Sequence, residues 1–180
     1  MRRILIGLVL VFLDFDIDLG ARRLGLLPNL NGYGLIAAGL RELEGESGRF
    51  QRARLFAVVL CVYSAGIYAA QLLGVMEQLE LFALAPSLVG ILLSLAMLYQ
   101  IIRGVAEMEA RHGTALGADD LDAVWLWLAV SQTAAAVSAV LWPLAAAVCL
   151  AAAVVCTLVY LVRFSRTKQR WEAFRSQPKA

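Results

Sequence analysis

Three carboxylates, Asp14, Asp16 and Asp18, alternate with large apolar side chains in Phe12-Leu13-Asp14-Phe15-Asp16-Ile17-Asp18-Leu19. Ionisable groups at membrane depth are costly, so such residues mark ion or proton sites by default. In a helix Asp14 and Asp18 share a face while Asp16 points elsewhere, and in an extended segment all three line one side. Either arrangement could hold a cation or a proton. The alternative is a helix that ends near Leu13, with the acids in the outer headgroup layer beside Arg22 and Arg23, where charge is far cheaper than at the bilayer centre.

A second unusual stretch is Leu27-Pro28-Asn29-Leu30-Asn31-Gly32-Tyr33-Gly34. A helix break there frees backbone amides and aims a helix N-terminus at Asp14 or Asp18, the arrangement by which discontinuous helices build midplane ion and substrate sites. The alternative places Pro28 in a first helical turn, with Asn29 or Asn31 as a cap and the glycines allowing close packing. Further on, Cys61, Ser64, Tyr68 and Gln71 recur at helical spacing as a narrow polar stripe facing the bundle interior. Gln71 is the member most worth testing. The candidate ion or substrate site is therefore Asp14, Asp18, Asn29, Asn31, Tyr33 and Gln71. Ser87, Gly90 and Ser94, and then Ser131 and Ser138, read as helix-packing faces.

Signatures of catalysis are missing. A calcium loop starting at Asp14 needs glycine and glutamate where Leu19 and Gly25 stand. Asp18-Leu19-Gly20-Ala21-Arg22 brushes against the alcohol phosphatidyltransferase pattern, but the downstream metal-binding aspartates are absent. There is no Gly-x-Ser-x-Gly, no His-Glu-x-x-His and no second intramembrane aspartate to form a dyad. His112 stands beside Arg111 in a charged stretch with no second ligand type at useful spacing, and reads as a solvated helix end. Cys61, Cys149 and Cys156 lie inside apolar runs and behave as small hydrophobes. The expectation is a non-enzyme without cofactor or metal.

The elements that would carry these residues follow from composition. The 180 residues are 61% hydrophobic and 17% charged, and the mean hydropathy is +0.74, far more apolar than a soluble domain. The fold class is all-α, an integral membrane helical bundle. Residues 55–74, 81–102, 123–142 and 144–162 are long enough to cross a bilayer. Residues 4–19 and 24–40 are shorter and more polar, giving either six spans or four full spans with a thinner N-terminal hairpin. The N-terminus, with Arg2 and Arg3 before an apolar run, imitates a secretory signal, but aspartates replace the cleavage site and it reads as retained.

With both termini inside, 14 of the 16 basic residues fall on inner segments, which fixes the expected orientation as N-in and C-in. A net charge of +2 is too mild for nucleic acid to be a partner. Asp119 with Asp122 should open the fifth helix, the fourth should run to His112 and stop at Gly113, and the fifth and sixth should meet in a tight turn near Pro143. Arg103 with Glu107, and Glu107 with Arg111, have the spacing of helical ion pairs. Residues 163–180 form a short basic cytoplasmic tail whose Phe164, Trp171 and Phe174 suit an anionic leaflet. The whole chain, 1–180, reads as one transmembrane domain.

The first 54 residues resemble a group of small, uncharacterised multi-spanning membrane proteins of Gram-positive bacteria. The resemblance is carried by Phe12-Leu13-Asp14-Phe15, Leu26-Leu27-Pro28-Asn29, Gly32-Tyr33, Leu35-Ile36 and Gly39-Leu40, and by Ser47, Phe50, Ala53 and Arg54. Members often have an acid where this chain has Asn29. The resemblance implies the bacterial plasma membrane and lends no catalytic residue. The expected function is a non-enzymatic membrane component, an accessory subunit or assembly factor, with the lipid bilayer, a membrane-protein partner or a second copy as partners. The alternative is a small ion- or proton-coupled transporter using the aspartates and the Pro28 region.

Overall fold

A computed structural model describes residues 1–12, 26–73, 84–141 and 143–176. Among these, all regular structure is helical: α1 Arg2–Phe12, α2 Leu26–Arg41, α3 Gly48–Leu72, α4 Leu84–His112, α5 Ala118–Leu141 and α6 Pro143–Ser176. Four helices, α3 to α6, are long and apolar enough to cross a membrane. At about 1.5 Å per residue, α1 with 11 residues and α2 with 16 fall short of a hydrocarbon core about 30 Å thick. Of the two expected arrangements, these lengths match four full spans and a thinner N-terminal hairpin.

Each helix packs against the next in sequence, and α1 also meets α6, so the six close into a ring. Its densest packing lies at the end that gathers the basic residues. There Ile4, Ile36, Leu40, Phe50, Ala57, Leu98, Ile101, Leu121, Tyr160 and Phe164 are fully buried. Burial from all six helices at one end explains how the short α1 and α2 are held: they need to reach only this half of the bundle.

The α1–α2 contact is a backbone contact. A Cβ on Gly7 would stand 2.6 Å from the Gly32 carbonyl oxygen, and one on Gly39 would stand 2.6 Å from Ile4 Cγ1 and 2.9 Å from the Ile4 nitrogen. Small residues let membrane helices approach this closely and gain dispersion contact along their length. Pro28 lies in the first turn of α2 and the helix continues without interruption to Arg41, so of the two readings of 28–34 the first-turn proline holds and the broken helix does not. A proline in a first turn loses no intrahelical hydrogen bond, so nothing forces the helix to open.

Connections at the basic end are tied by side chains from distant helices. Ser47 caps α3, accepting a hydrogen bond from the Arg49 N–H at 3.0 Å, and its hydroxyl donates to Glu107. As expected, α4 ends at His112, with Gly113 in the left-handed region at φ +62°. The opening of α5 differs from expectation. It starts at Ala118, and Asp119 lies inside the first turn. The cap is Glu109 of α4, whose carboxylate accepts from the Gly117 N–H and from the Ala118 N–H at 3.2 Å. The left-handed Gly117, at φ +96°, turns the chain back so that these amides face α4.

The expected ion pairs within α4 give way to other partners. Glu107 bonds Arg49 of α3 at 3.0 Å, Arg103 stays within α4 and lies over the Tyr99 ring, and Arg111 donates to the Glu46 carbonyl of the α2–α3 connection at 2.9 Å. His112 is half-buried rather than solvated. Its Nε2 lies 3.0 Å from Glu46, and its ring packs at 5.3 Å and 5.4 Å from the Trp171 and Phe174 rings. Nor do the aromatics of this segment face outward as expected: α6 continues to Ser176, and Phe164 and Trp171 turn inward and are buried. Burying two large aromatic side chains is worth several kcal/mol, roughly 1.5–3 for each, which outweighs an interfacial position.

Candidate functional site

Above the packed end, α1 to α5 line an open cavity of about 430 Å³. Its walls are apolar where α1 and α4 meet it, at Leu8, Val11, Phe12, Ile91, Met97 and Leu98, and polar at Asn29, Tyr33, Tyr63, Ser64, Ser94 and Gln132. Among the described residues no charged side chain lines it. Along α3 the lining runs from Leu60 to Ile67, which at helical rise is about 9 to 20 Å beyond Arg54. With Arg54 at the edge of a hydrocarbon core about 30 Å thick, that span would cover its middle. Toward the basic end Leu98 of α4 lines the cavity, and Ile101 and Val105 one and two turns further on are fully buried.

Three hydrogen bonds stitch the wall helices together, the first of them between two residues that line the cavity. The Tyr63 hydroxyl of α3 donates to the Pro86 carbonyl of α4 at 2.6 Å. The Trp125 indole of α5 donates to the Leu95 carbonyl of α4 at 3.0 Å, and the Cys61 thiol of α3 reaches the Leu30 carbonyl of α2 at 3.7 Å. In an apolar surround such bonds hold because the separated groups would find no water. Ser94 is used locally, donating to the Ile91 carbonyl at 2.8 Å. Ser64 and Gln132 are half-exposed and make no hydrogen bond among the described residues. They present a hydroxyl and an amide to whatever enters.

The residues expected from sequence are divided by this geometry. Asn29 and Tyr33 line the cavity together. Asn31 does not: it is exposed on another face of α2, because positions two apart on a helix lie some 200° apart. Gln71 lies in the last turn of α3, and its side chain is outside the described residues. Asp14 and Asp18 also lie outside them. Of the small-residue faces, Gly90 and Ser94 line the cavity, while Ser131 and Ser138 bond back to the Leu128 and Ala134 carbonyls of their own helix. Among the described residues no cluster of three potential metal ligands occurs.

Tyr63 and Gln132 are the site residues that sequence reading passed over. Gln132 was signalled only by being an amide in an apolar span. It lies about a hundred residues from Tyr33, and nothing in local spacing connects the two. Comparison with known proteins finds no matching family model, no matching curated protein and no matching solved structure.

Proposed function

We propose that this chain is a non-enzymatic integral membrane protein of the bacterial plasma membrane, with both termini cytoplasmic, which binds a small uncharged molecule in the cavity as a step in transport. The cavity carries this reading. With Arg54 at the edge of the hydrocarbon core it would stand near mid-depth, and among the described residues it combines an apolar wall with hydrogen-bonding groups and no charge. Such a lining favours an uncharged ligand, because an ion placed there would lose its hydration without a counter-charge. Asp14 and Asp18 follow Phe12 of the cavity wall by two and six residues, and they are the candidate groups for coupling to an ion or proton.

The test is thermal unfolding of the purified protein against a panel of uncharged solutes bearing amides and hydroxyls. A ligand at a hundred times its Kd stabilises by about 2.7 kcal/mol. At least one solute should do so for the wild type and not for Gly90→Leu, whose side chain projects into the cavity. Equal stabilisation of both proteins would place binding elsewhere, and a panel without effect would count against the reading. Asp14→Asn in liposomes then separates coupled transport from simple binding.

One observation favours the accessory-subunit reading. Outside the basic end α6 packs on α5 alone among its neighbours, and it leaves Leu144, Val148, Leu150 and Val155 exposed by 60% or more. A span so thinly packed offers an apolar face to lipid or to another membrane helix. Co-purification from native membranes decides between these. A stoichiometric membrane partner supports the accessory role, and a solitary protein removes it.

A further inference from the structure

A second concavity, of about 410 Å³, lies at the basic end between the N-terminal hairpin and α3. Its rim carries three guanidinium groups, Arg3, Arg41 and Arg54, together with the Glu42 carboxylate, and its floor is Ala37, Ala38 and Val58. Two of the arginines have carboxylate partners: Arg3 meets Glu42 at 3.1 Å and Arg54 meets Glu44 at 2.7 Å. Arg41 is exposed and has no ion pair or hydrogen bond among the described residues. The rim therefore holds one positive charge in excess of its carboxylates.

We propose that this groove is a binding site for the headgroup of an anionic glycerophospholipid. A phosphodiester carries one negative charge and matches the one uncompensated guanidinium, and guanidinium forks bind phosphate oxygens in pairs. The floor decides for a lipid over a soluble anion. Ala37 and Ala38 lie three to four residues from Arg41 toward the membrane-crossing part, and Val58 lies four residues from Arg54 in the same sense. At helical rise this puts apolar surface about 6 Å below the arginines, the depth of the acyl ester region beneath a phosphate. The apolar strip continues along α3 through Val58 and Val62, which are 44% and 68% exposed. A hydrated inorganic anion gains nothing from such a floor, whereas an acyl chain lies along it. Basic pockets between membrane helices on the side richest in arginine have the charge and shape to hold lipid headgroups.

The test uses the full chain in neutral detergent, titrated with dioctanoyl phosphatidylglycerol, dioctanoyl phosphatidylcholine or inorganic phosphate, with bound ligand counted by native mass spectrometry. The wild type should bind one phosphatidylglycerol saturably and in preference to phosphatidylcholine, with no displacement by phosphate at equal concentration. Arg41→Gln, which disturbs no ion pair, should lose about tenfold in affinity, the scale of one charge-assisted contact. Arg166→Gln, an exposed arginine of the same end but on α6, should leave binding unchanged. Wild-type affinity in Arg41→Gln overturns the proposal. So does an equal loss in Arg166→Gln, which would mean a diffuse basic surface, and so does displacement by phosphate, which would mean a site for soluble anions.

Discussion

Replacing Gly7 by alanine tests the backbone contact that holds the N-terminal hairpin together. The added Cβ would lie 2.6 Å from the Gly32 carbonyl oxygen, 2.7 Å from Ile36 Cγ1 and 2.9 Å from the Ile36 nitrogen. Two of these three atoms belong to the backbone of α2 and cannot turn aside as a flexible side chain would. Ordinary contact begins near 3.4 Å, so α1 and α2 must separate by about 0.8 Å, which forfeits a quarter to a half of the dispersion well for atoms along the seam. Overpacking of this kind costs about 1–3 kcal/mol. Gly34→Ala is the matched control, since nothing lies within 4 Å of its Cβ position and alanine is the better helix former by up to ~1 kcal/mol. Unfolding in detergent, followed by tryptophan fluorescence over temperature, should show Gly7→Ala melting well below wild type and Gly34→Ala at or above it. Coincident curves for Gly7→Ala and wild type would refute the close α1–α2 approach. Equal losses in both variants would show that glycine matters here for some reason other than contact.

The same reasoning separates two glycines of α4. Gly104→Ala drives a Cβ to 2.6 Å from the fully buried Phe50 ring and should cost ~1–3 kcal/mol, whereas Gly90→Ala meets only Tyr63 Cε1 at 3.6 Å and should be neutral in the same melting assay. Tyr160 is fully buried and its hydroxyl has no hydrogen-bond partner among the described residues, so Tyr160→Phe should leave stability unchanged or raise it by up to ~1–3 kcal/mol; a lowered melting temperature would reveal a partner for the hydroxyl. Glu109→Ala removes the cap from α5 and should destabilise by about 0.5–2 kcal/mol, with faster amide exchange at Gly117 and Ala118 than elsewhere in α5; unchanged exchange there would deny Glu109 the role. Reporters fused after Glu46 and Gly117 should read cytoplasmic and one after Gln78 external, and an external signal at Gly117 would reverse the proposed orientation.

Much of the architecture was legible without coordinates. Four apolar runs of bilayer length became α3 to α6, the α4 stop at Gly113 followed from the left-handed freedom of glycine, and the start of α6 at Pro143 followed from the proline's missing N–H. These signals are local, in that hydropathy, length and punctuation act within one helix. The candidate site was legible only in part. Asn29 and Tyr33 stood out as polar groups in a thin span, yet the same reasoning also picked Asn31, which α2 turns to the opposite side.

What tertiary structure alone decided is which faces meet. In a soluble helix the apolar stripe announces the buried side, but in a membrane the lipid-facing and partner-facing sides are both apolar, so periodicity loses its meaning. Gly7 and Gly34 are the same residue type in neighbouring apolar helices, and only the packing of α1 on α2 makes one a backbone contact and leaves the other open. Glu107 has two arginines at helical spacing, yet it bonds Arg49 and Ser47 across the bundle, because an interhelical partner locks a loop that an intrahelical one would leave free. The cavity that joins Tyr33 to Gln132, and the groove that joins Arg41 to Arg54, exist only once residues from separate helices are brought together. The composition of the chain determined that it would enter a membrane, and the register of its helices determined what it could hold there.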